Sequence, residues 1–341
     1  MRKLIIATAI IALLSAGMAF GAGQAEDTVT AYTTLDEGLA RQVFSEFEDE
    51  TGLSVEWVRL SGGEAVSRME AERENPQASI WFGGVHLNHM DAKSRGLTEP
   101  FETDAADHID DNFRDPDGYW TGIYAGPLAF FNNVNELERH GLEAPTSWED
   151  LTQEGLENRV QMADPGSSGT AYNVLSTVMH LHDFDEDEGW SYMQRLDRSI
   201  SSYTRSGAAP GQNAALGETT VAIGYAHDGV RLIDEGYPLE LTFPEEGTGY
   251  EIAAISMVAG GPEDEREAAE ALYEFGHSQQ AAQLYADYFV APLRTDVELA
   301  DGAVPIDQVD TIVQDDQWSQ DNQDRLVDEW NERIGEDAEI E

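Results

Sequence analysis

Two groups of residues in this chain are equipped for recognition chemistry. The first is a pair of acids with an imidazole. His227 and Asp228 follow the short apolar run 221–223, and Glu251 closes the glycine-bearing stretch FPEEGTGYE. An ionised carboxylate only accepts hydrogen bonds and can take two hydroxyl donors. Asp228 and Glu251 therefore suit the neighbouring hydroxyls of a sugar. Paired carboxylates also hydrolyse glycosides, but no companion motif for that reaction accompanies them. The second group is a set of turns. Ser167-Ser168-Gly169-Thr170-Ala171 offers hydroxyls and free backbone N–H groups at a helix start. That is an anion seat built without lysine. Thr33, Thr34, Ser61, Gly62 and Gly63 repeat the device on other turns, and Gly84 ends a further strand. One such turn alone is ordinary helix capping; several converging would cradle a phosphate or a carboxylate. His86 and His89, three residues apart, fit either a metal pair or a solvated helix face. The solvated face is expected, with no metal site. Most aromatics are expected in the core. Tyr124 and Tyr203 are the exceptions to watch, because they sit in polar, glycine-bearing stretches.

The elements that must hold these residues alternate regularly. Residues 29–32 read as a strand, and Leu35, Leu39, Val43, Phe44 and Phe47 then recur at helical spacing up to Gly52. Residues 53–60 alternate and run into Ser61-Gly62-Gly63, followed by a helix carrying Val66 and Met69. Residues 78–82 form a third strand ending at Gly83-Gly84. This strand, turn, helix order argues for a largely parallel sheet with helices on its faces. In such sheets ligands bind outside the carboxyl ends of the strands. Residues 120–132 read as extended and apolar, 145–149 as a helix start capped by Ser147, and 160–163 as a strand. Residues 201–210 read as a polar loop, and Gly229 as the opening of a helix over 230–235. Strands at 239–243 and 252–258, helices at 265–275 and 279–288, and a terminal helix at 318–334 complete the pattern.

Composition bounds the partners. The chain has 341 residues, 41% of them hydrophobic, enough for about two domains with proper cores. Its formal net charge of -48 argues against nucleic acid or an anionic membrane as partner. With no cysteine there is no disulfide or thiolate chemistry. Lys3 and Lys93 are the only lysines. An acidic chain stripped of lysine fits an environment of high salt, where self-repulsion is screened within a few ångströms. Arg2 and Lys3, the apolar run 4–14 and small residues around Gly21 read as a cleaved export signal over residues 1–22. No lipid-anchoring cysteine follows it. The mature protein is expected to be exported and soluble.

The runs TAYTTLDEGLARQVF, WVRLSGGEAV, WFGG, DPDGYWTGIYAGPLAF, MADPGSSGTAY, YAHDG and FPEEGTGYE span nearly the whole mature chain. Together they resemble the solute-binding proteins of ABC importers, in the ferric-binding-protein-like branch with type II topology. The resemblance implies an α/β fold of two lobes, each a mixed, mostly parallel sheet flanked by helices, with a hinge of two crossing strands. It implies a discontinuous first lobe, 27–125 plus 253–341, and a second lobe over 126–252. It also implies a monomer that hands a small ligand to a membrane permease, with no cofactor and no catalysis. Iron-binding members hold the metal with adjacent tyrosines; here Tyr225 is followed by Ala226-His227-Asp228, and no Tyr-Tyr pair occurs. The hexose-phosphate-binding members match better. The resemblance assigns His227, Asp228 and Glu251 to sugar hydroxyls. It assigns Thr33, Thr34, Ser61, Gly62, Ser167, Ser168, Gly169 and Thr170 to the phosphate, and Gly63 and Gly84 are expected to join them at the anion. The alternative ligand is ferric ion.

Overall fold

The computed structural model describes residues 28–335. The export segment expected at 1–22 lies outside the described residues, as does the acidic tail after Gly335. The chain opens with β1 (Thr28–Thr33), which buries Val29, Ala31 and Tyr32. Helix α1 (Glu37–Thr51) starts where the Asp36 carboxylate accepts from Gly38 N at 2.8 Å. It stops at Gly52, whose φ of 76° is the left-handed conformation that glycine adopts without strain. Then follow β2 (Ser54–Arg59), α2 (Gly62–Ala71), β3 (Ile80–Val85), α3 (His86–Ser94) and the two-residue β4 (Thr98–Glu99). The third strand lies two residues later than its apolar run suggests, so Gly83 and Gly84 are inside it.

The middle of the chain begins with β5 (Thr121–Asn133), a 13-residue strand buried throughout. Short α4 (Val134–His140) follows. The start expected at Ser147 is a single tight turn over Glu149–Thr152, with Asp150 N donating to Ser147 Oγ at 3.0 Å. Next come β6 (Val160–Ala163), α5 (Gly169–Leu181) and α6 (Glu186–Asp197). Residues 201–210 are not a loop: β7 (Ile200–Thr204) occupies the first half and α7 (Ala209–Leu216) begins in the second. Burial of Ser202 and Thr204 in a parallel ladder with β6 overrides their turn-like composition. Strand β8 (Val221–Tyr225) leads straight into α8 (Ala226–Asp234), which therefore starts ahead of Gly229. His227 and Asp228 sit in its first turn. Strand β9 (Leu239–Thr242) closes this part.

The chain returns through β10 (Tyr250–Val258), then α9 (Arg266–Gly276), α10 (Gln279–Asp287), the two-residue β11 (Ala291–Pro292) and α11 (Asp316–Arg333). The sheet order is β2-β1-β3-β10-β5-β8-β6-β7. β1 is parallel to β2 and β3; β6 is parallel to β7 and β8. The long β5 joins the two halves. Its first residues pair with β10 and β11, and its last with β8 and β9. The two lobes are thus hinged on β5 and β10. One core gathers Val29, Leu39, Phe44, Phe82, Ile255 and Leu272; the other gathers Phe130, Trp148, Tyr172, Val178, Trp190 and Ile223. The terminal helix, placed by sequence with the first lobe, buries Leu326 and Trp330 in the second of these cores. Among the described residues no helix is long and apolar enough to cross a membrane.

Candidate functional site

The parallel strands deliver helix N-termini to one cleft between the lobes. Asp36, Ser61, Ser168, Ala208 and Tyr225, the residues preceding α1, α2, α5, α7 and α8, all line it. The cleft is open to solvent and is lined by residues of both lobes. First-turn N–H groups have no partner inside their own helices, and the helix dipole favours negative charge there.

One end of the cleft carries hydroxyls and a cation. Thr34 Oγ1 is buried without a hydrogen-bond partner, and a methyl group on Gly84 would collide with it. Gly84 also has φ of 100°, so this position requires glycine twice over. Ser168 Oγ accepts from Ala171 N at 3.4 Å, which leaves its own proton free to donate. The Ser61 hydroxyl already donates to Glu64 at 2.9 Å. Among the described residues, Arg59 at the end of β2 is the only arginine or lysine in the cleft lining. Its Nε donates to Leu35 O at 2.9 Å, which fixes the guanidinium at this end. Ser206, Gly207 and Ala208 add the uncapped start of α7.

The other end is acidic and aromatic. Glu251, on β10, is 4% exposed, with His227 Nε2 3.7 Å from its Oε1. Burial, and then the neighbouring Asp228 charge, push the Glu251 carboxyl well above the usual range. Burial likewise lowers His227, against the pull of Asp228, so the imidazole is held neutral. Its ring stacks on Tyr225 at 5.9 Å and meets Tyr124 edge-on at 5.8 Å. Both phenols are raised well above 10, by burial first and by Glu251 second. Tyr225 is fixed by Asn173 Nδ2, which donates to its oxygen at 3.0 Å. At the rim, the Arg231 guanidinium of the second lobe lies over the Tyr288 ring, 5.5 Å from its centre, and 3.7 Å from Asp36 of the first. It is also 3.9 Å from Asp228.

The structure brings Thr34, Ser61, Gly62, Gly84, Ser168, Gly169, Thr170, His227, Asp228 and Glu251 to this one cleft. Thr33, Gly63 and Ser167 stand outside its lining. Thr33 turns inward and donates to Phe82 O at 2.8 Å. Gly63 packs against the Gly166 carbonyl, and Ser167 Oγ donates to Arg205 O at 3.2 Å. Sequence reading missed Arg59, Asn88, the 206–208 turn and Tyr288. Of these, the arginine directly before a Leu-Ser-Gly-Gly turn was a usable signal. Tyr124 lines the cleft. Tyr203 does not; it is buried, and its hydroxyl donates to Asp197 at 2.8 Å. His86 and His89 are not on a solvated face. Both are fully buried. His89 stacks on Trp81 at 3.9 Å and bonds Ser256 Oγ at 2.7 Å. His86 Nε2 lies 3.1 Å from Asp316. Among the described residues no cluster of three or more His, Cys, Asp or Glu could hold a metal ion.

Residues 88–321 match the family model described as bacterial extracellular solute-binding protein. The chain belongs to that family. It is 37% identical to an uncharacterized protein of Haemophilus influenzae over 255 residues, 73% of each chain. It is 27% identical to a putative 2-aminoethylphosphonate-binding periplasmic protein of Salmonella paratyphi A, covering 85% of this chain and 86% of the relative. Among solved structures it resembles the periplasmic binding protein AfuA of Actinobacillus pleuropneumoniae, determined with fructose-6-phosphate bound. That match has a TM-score of 0.86 and 31% identity, and covers 90% of this chain and 98% of that one. The two-lobed fold of this solute-binding protein is therefore that of the periplasmic binding proteins.

Proposed function

We propose that this solute-binding protein carries a sugar phosphate, a hexose phosphate above all, to an ABC permease and performs no catalysis. The observation that carries the reading is the division of the cleft. The starts of α2, α5 and α7, free hydroxyls and Arg59 stand at one end, and Glu251 stands at the other with His227 and Asp228 of the first turn of α8. The likeness to a fructose-6-phosphate complex supports it. Export to the periplasm or cell exterior, a monomeric state and tolerance of high salt belong to the same proposal. So does the lobe division at 27–125 with 253–341 and at 126–252, except that α11 goes with the second lobe.

A second reading, an aminoalkyl phosphonate, is favoured by the Salmonella relative, because acids also pair with an ammonium group. Two observations weigh against it. Burial raises the Glu251 carboxyl and so disfavours the charged form that an ammonium group needs. Asp228 already has the Arg231 guanidinium 3.9 Å away. Ferric ion fits less well, since the sequence has no adjacent tyrosine pair and, among the described residues, no group of three or more His, Cys, Asp or Glu could hold a metal ion.

Calorimetry with glucose 6-phosphate, inorganic phosphate and 2-aminoethylphosphonate tests the assignment. Asp228→Ala and Glu251→Ala should each weaken glucose 6-phosphate about ten-fold or more and leave phosphate nearly unchanged. Thr170→Val should weaken both. Tight uptake of 2-aminoethylphosphonate or ferric ion, with glucose 6-phosphate ignored, would overturn the proposal.

A further inference from the structure

Asn88 is the third residue of α3, in the first lobe. Its side chain is 2% exposed and lines the cleft at the anion end. Its Oδ1 has no hydrogen-bond partner. Two glycines explain where that oxygen sits. Gly62 is the first residue of α2, in the same lobe, and Gly169 the first residue of α5, in the other. A methyl group added to either would land deep inside van der Waals contact with Asn88 Oδ1. The carboxamide thus fills the gap between two helix N-termini that belong to opposite lobes. Native interiors rarely leave a buried amide unpartnered, and one that is demands a reason.

We propose that Asn88 is an interlobe clasp that recognises the ligand's anion. This rests on the reading that the cleft takes an anionic group. A half-turn of the carboxamide exchanges Oδ1 and Nδ2, so the same side chain presents an N–H₂ donor to an anion seated on α2 and α5. That anion draws on first-turn N–H groups from both lobes, and the width of the carboxamide sets their separation. Glycine at 62 and 169 is what lets the lobes approach so far. A ligand without the anion leaves the amide unpaired, so closure is selective for charged over neutral sugars. Asn88 is a positioning and specificity residue in a site whose other groups belong to the turns.

The test is calorimetry with glucose 6-phosphate and inorganic phosphate on Asn88→Leu, Asn88→Asp, Gly169→Ala and the double variant Gly169→Ala/Asn88→Ala, with Asn88→Ala as its reference. Asn88→Leu keeps the bulk and should weaken both ligands about ten-fold. Asn88→Asp sets a carboxylate against the anion and should cost on the order of a hundred-fold. Gly169→Ala should weaken both ligands by holding the lobes apart, and the double variant should recover to the level of Asn88→Ala alone. Wild-type affinity in Asn88→Leu would reduce the residue to packing and overturn the clasp. So would a double variant no better than Gly169→Ala. If wild type takes neither ligand but takes 2-aminoethylphosphonate, the sugar-phosphate reading fails by itself, and the same variants titrated with that phosphonate decide the clasp; if it takes none of the three, the clasp is overturned with the reading it rests on.

Discussion

Glu251 and His227 sit side by side out of water, and burial pushes both toward their neutral forms. A neutral carboxyl and a neutral imidazole each offer one donor and one or more acceptors, which matches a hydroxyl, since it both donates and accepts. The arrangement has a cost that depends on pH. The folded chain keeps a proton on Glu251 that the unfolded chain gives up near the ordinary value of 4.5. The stability tied to that proton is fully present below the unfolded pKa and is lost as pH rises toward the raised folded value. Glu251→Gln removes the titration. We expect the ligand-free variant to melt like wild type near pH 4 and about 2 °C or more above it at pH 7, while binding glucose 6-phosphate more weakly. Thermal melts from pH 4 to 8 check this. A variant less stable than wild type at pH 7 would mean that Glu251 makes a native interaction outweighing its burial.

At the scale of the element, each parallel strand ends in a helix start, and the strand's last residues choose what faces the cleft. Arg59 ends β2 and is anchored by Leu35 O. With acids at the far end of the cleft, this fixed guanidinium carries much of the attraction for an anion, and charge-assisted bonds are about twice as strong as neutral ones. Arg59→Gln should weaken inorganic phosphate and glucose 6-phosphate alike, each about ten-fold or more. It should leave the ratio between the two ligands unchanged, because the hydroxyl end is untouched. Titration of both ligands measures that ratio. A loss confined to the sugar phosphate would place Arg59 at the wrong end of the cleft.

For the whole molecule, charge dominates. The net charge of -48 is spread along the chain, and many arginines are already committed to exposed pairs three or four residues apart, such as Arg41–Glu37 at 2.6 Å and Arg73–Glu70 at 2.6 Å. Such pairs contribute little. Lys93, the only lysine among the described residues, is held between Asp115 and Asp117 at 2.7 and 2.9 Å. Self-repulsion is therefore relieved chiefly by dissolved salt. The Debye length shrinks from about 10 Å at 0.1 M to about 3 Å at 1 M. We expect the melting temperature to rise steeply over that range, followed by circular dichroism. A flat profile would remove the case for a high-salt habitat.

Much of the fold was legible because its signals are local. Alternation marked β2, helical spacing marked α1, and Ser or Gly turns marked the starts of α2 and α5. Local signals mislead where burial outweighs composition, as for β7, whose serines and threonines lie in a ladder, and α8, which begins before its glycine. The site was legible as types of residue: acids that accept hydroxyls, and turns that offer N–H groups. Which of them meet was decided by strand pairing. Thr34 follows β1 and Glu251 lies on β10, far apart along the chain, yet only β3 separates their two strands in the sheet. No local pattern encodes that neighbourhood, because strand order is set by which apolar faces bury one another across the whole fold. The same pairing turned Thr33 inward while leaving Thr34 in the cleft, and it brought Asn88, an unremarked residue of α3, between glycines of both lobes.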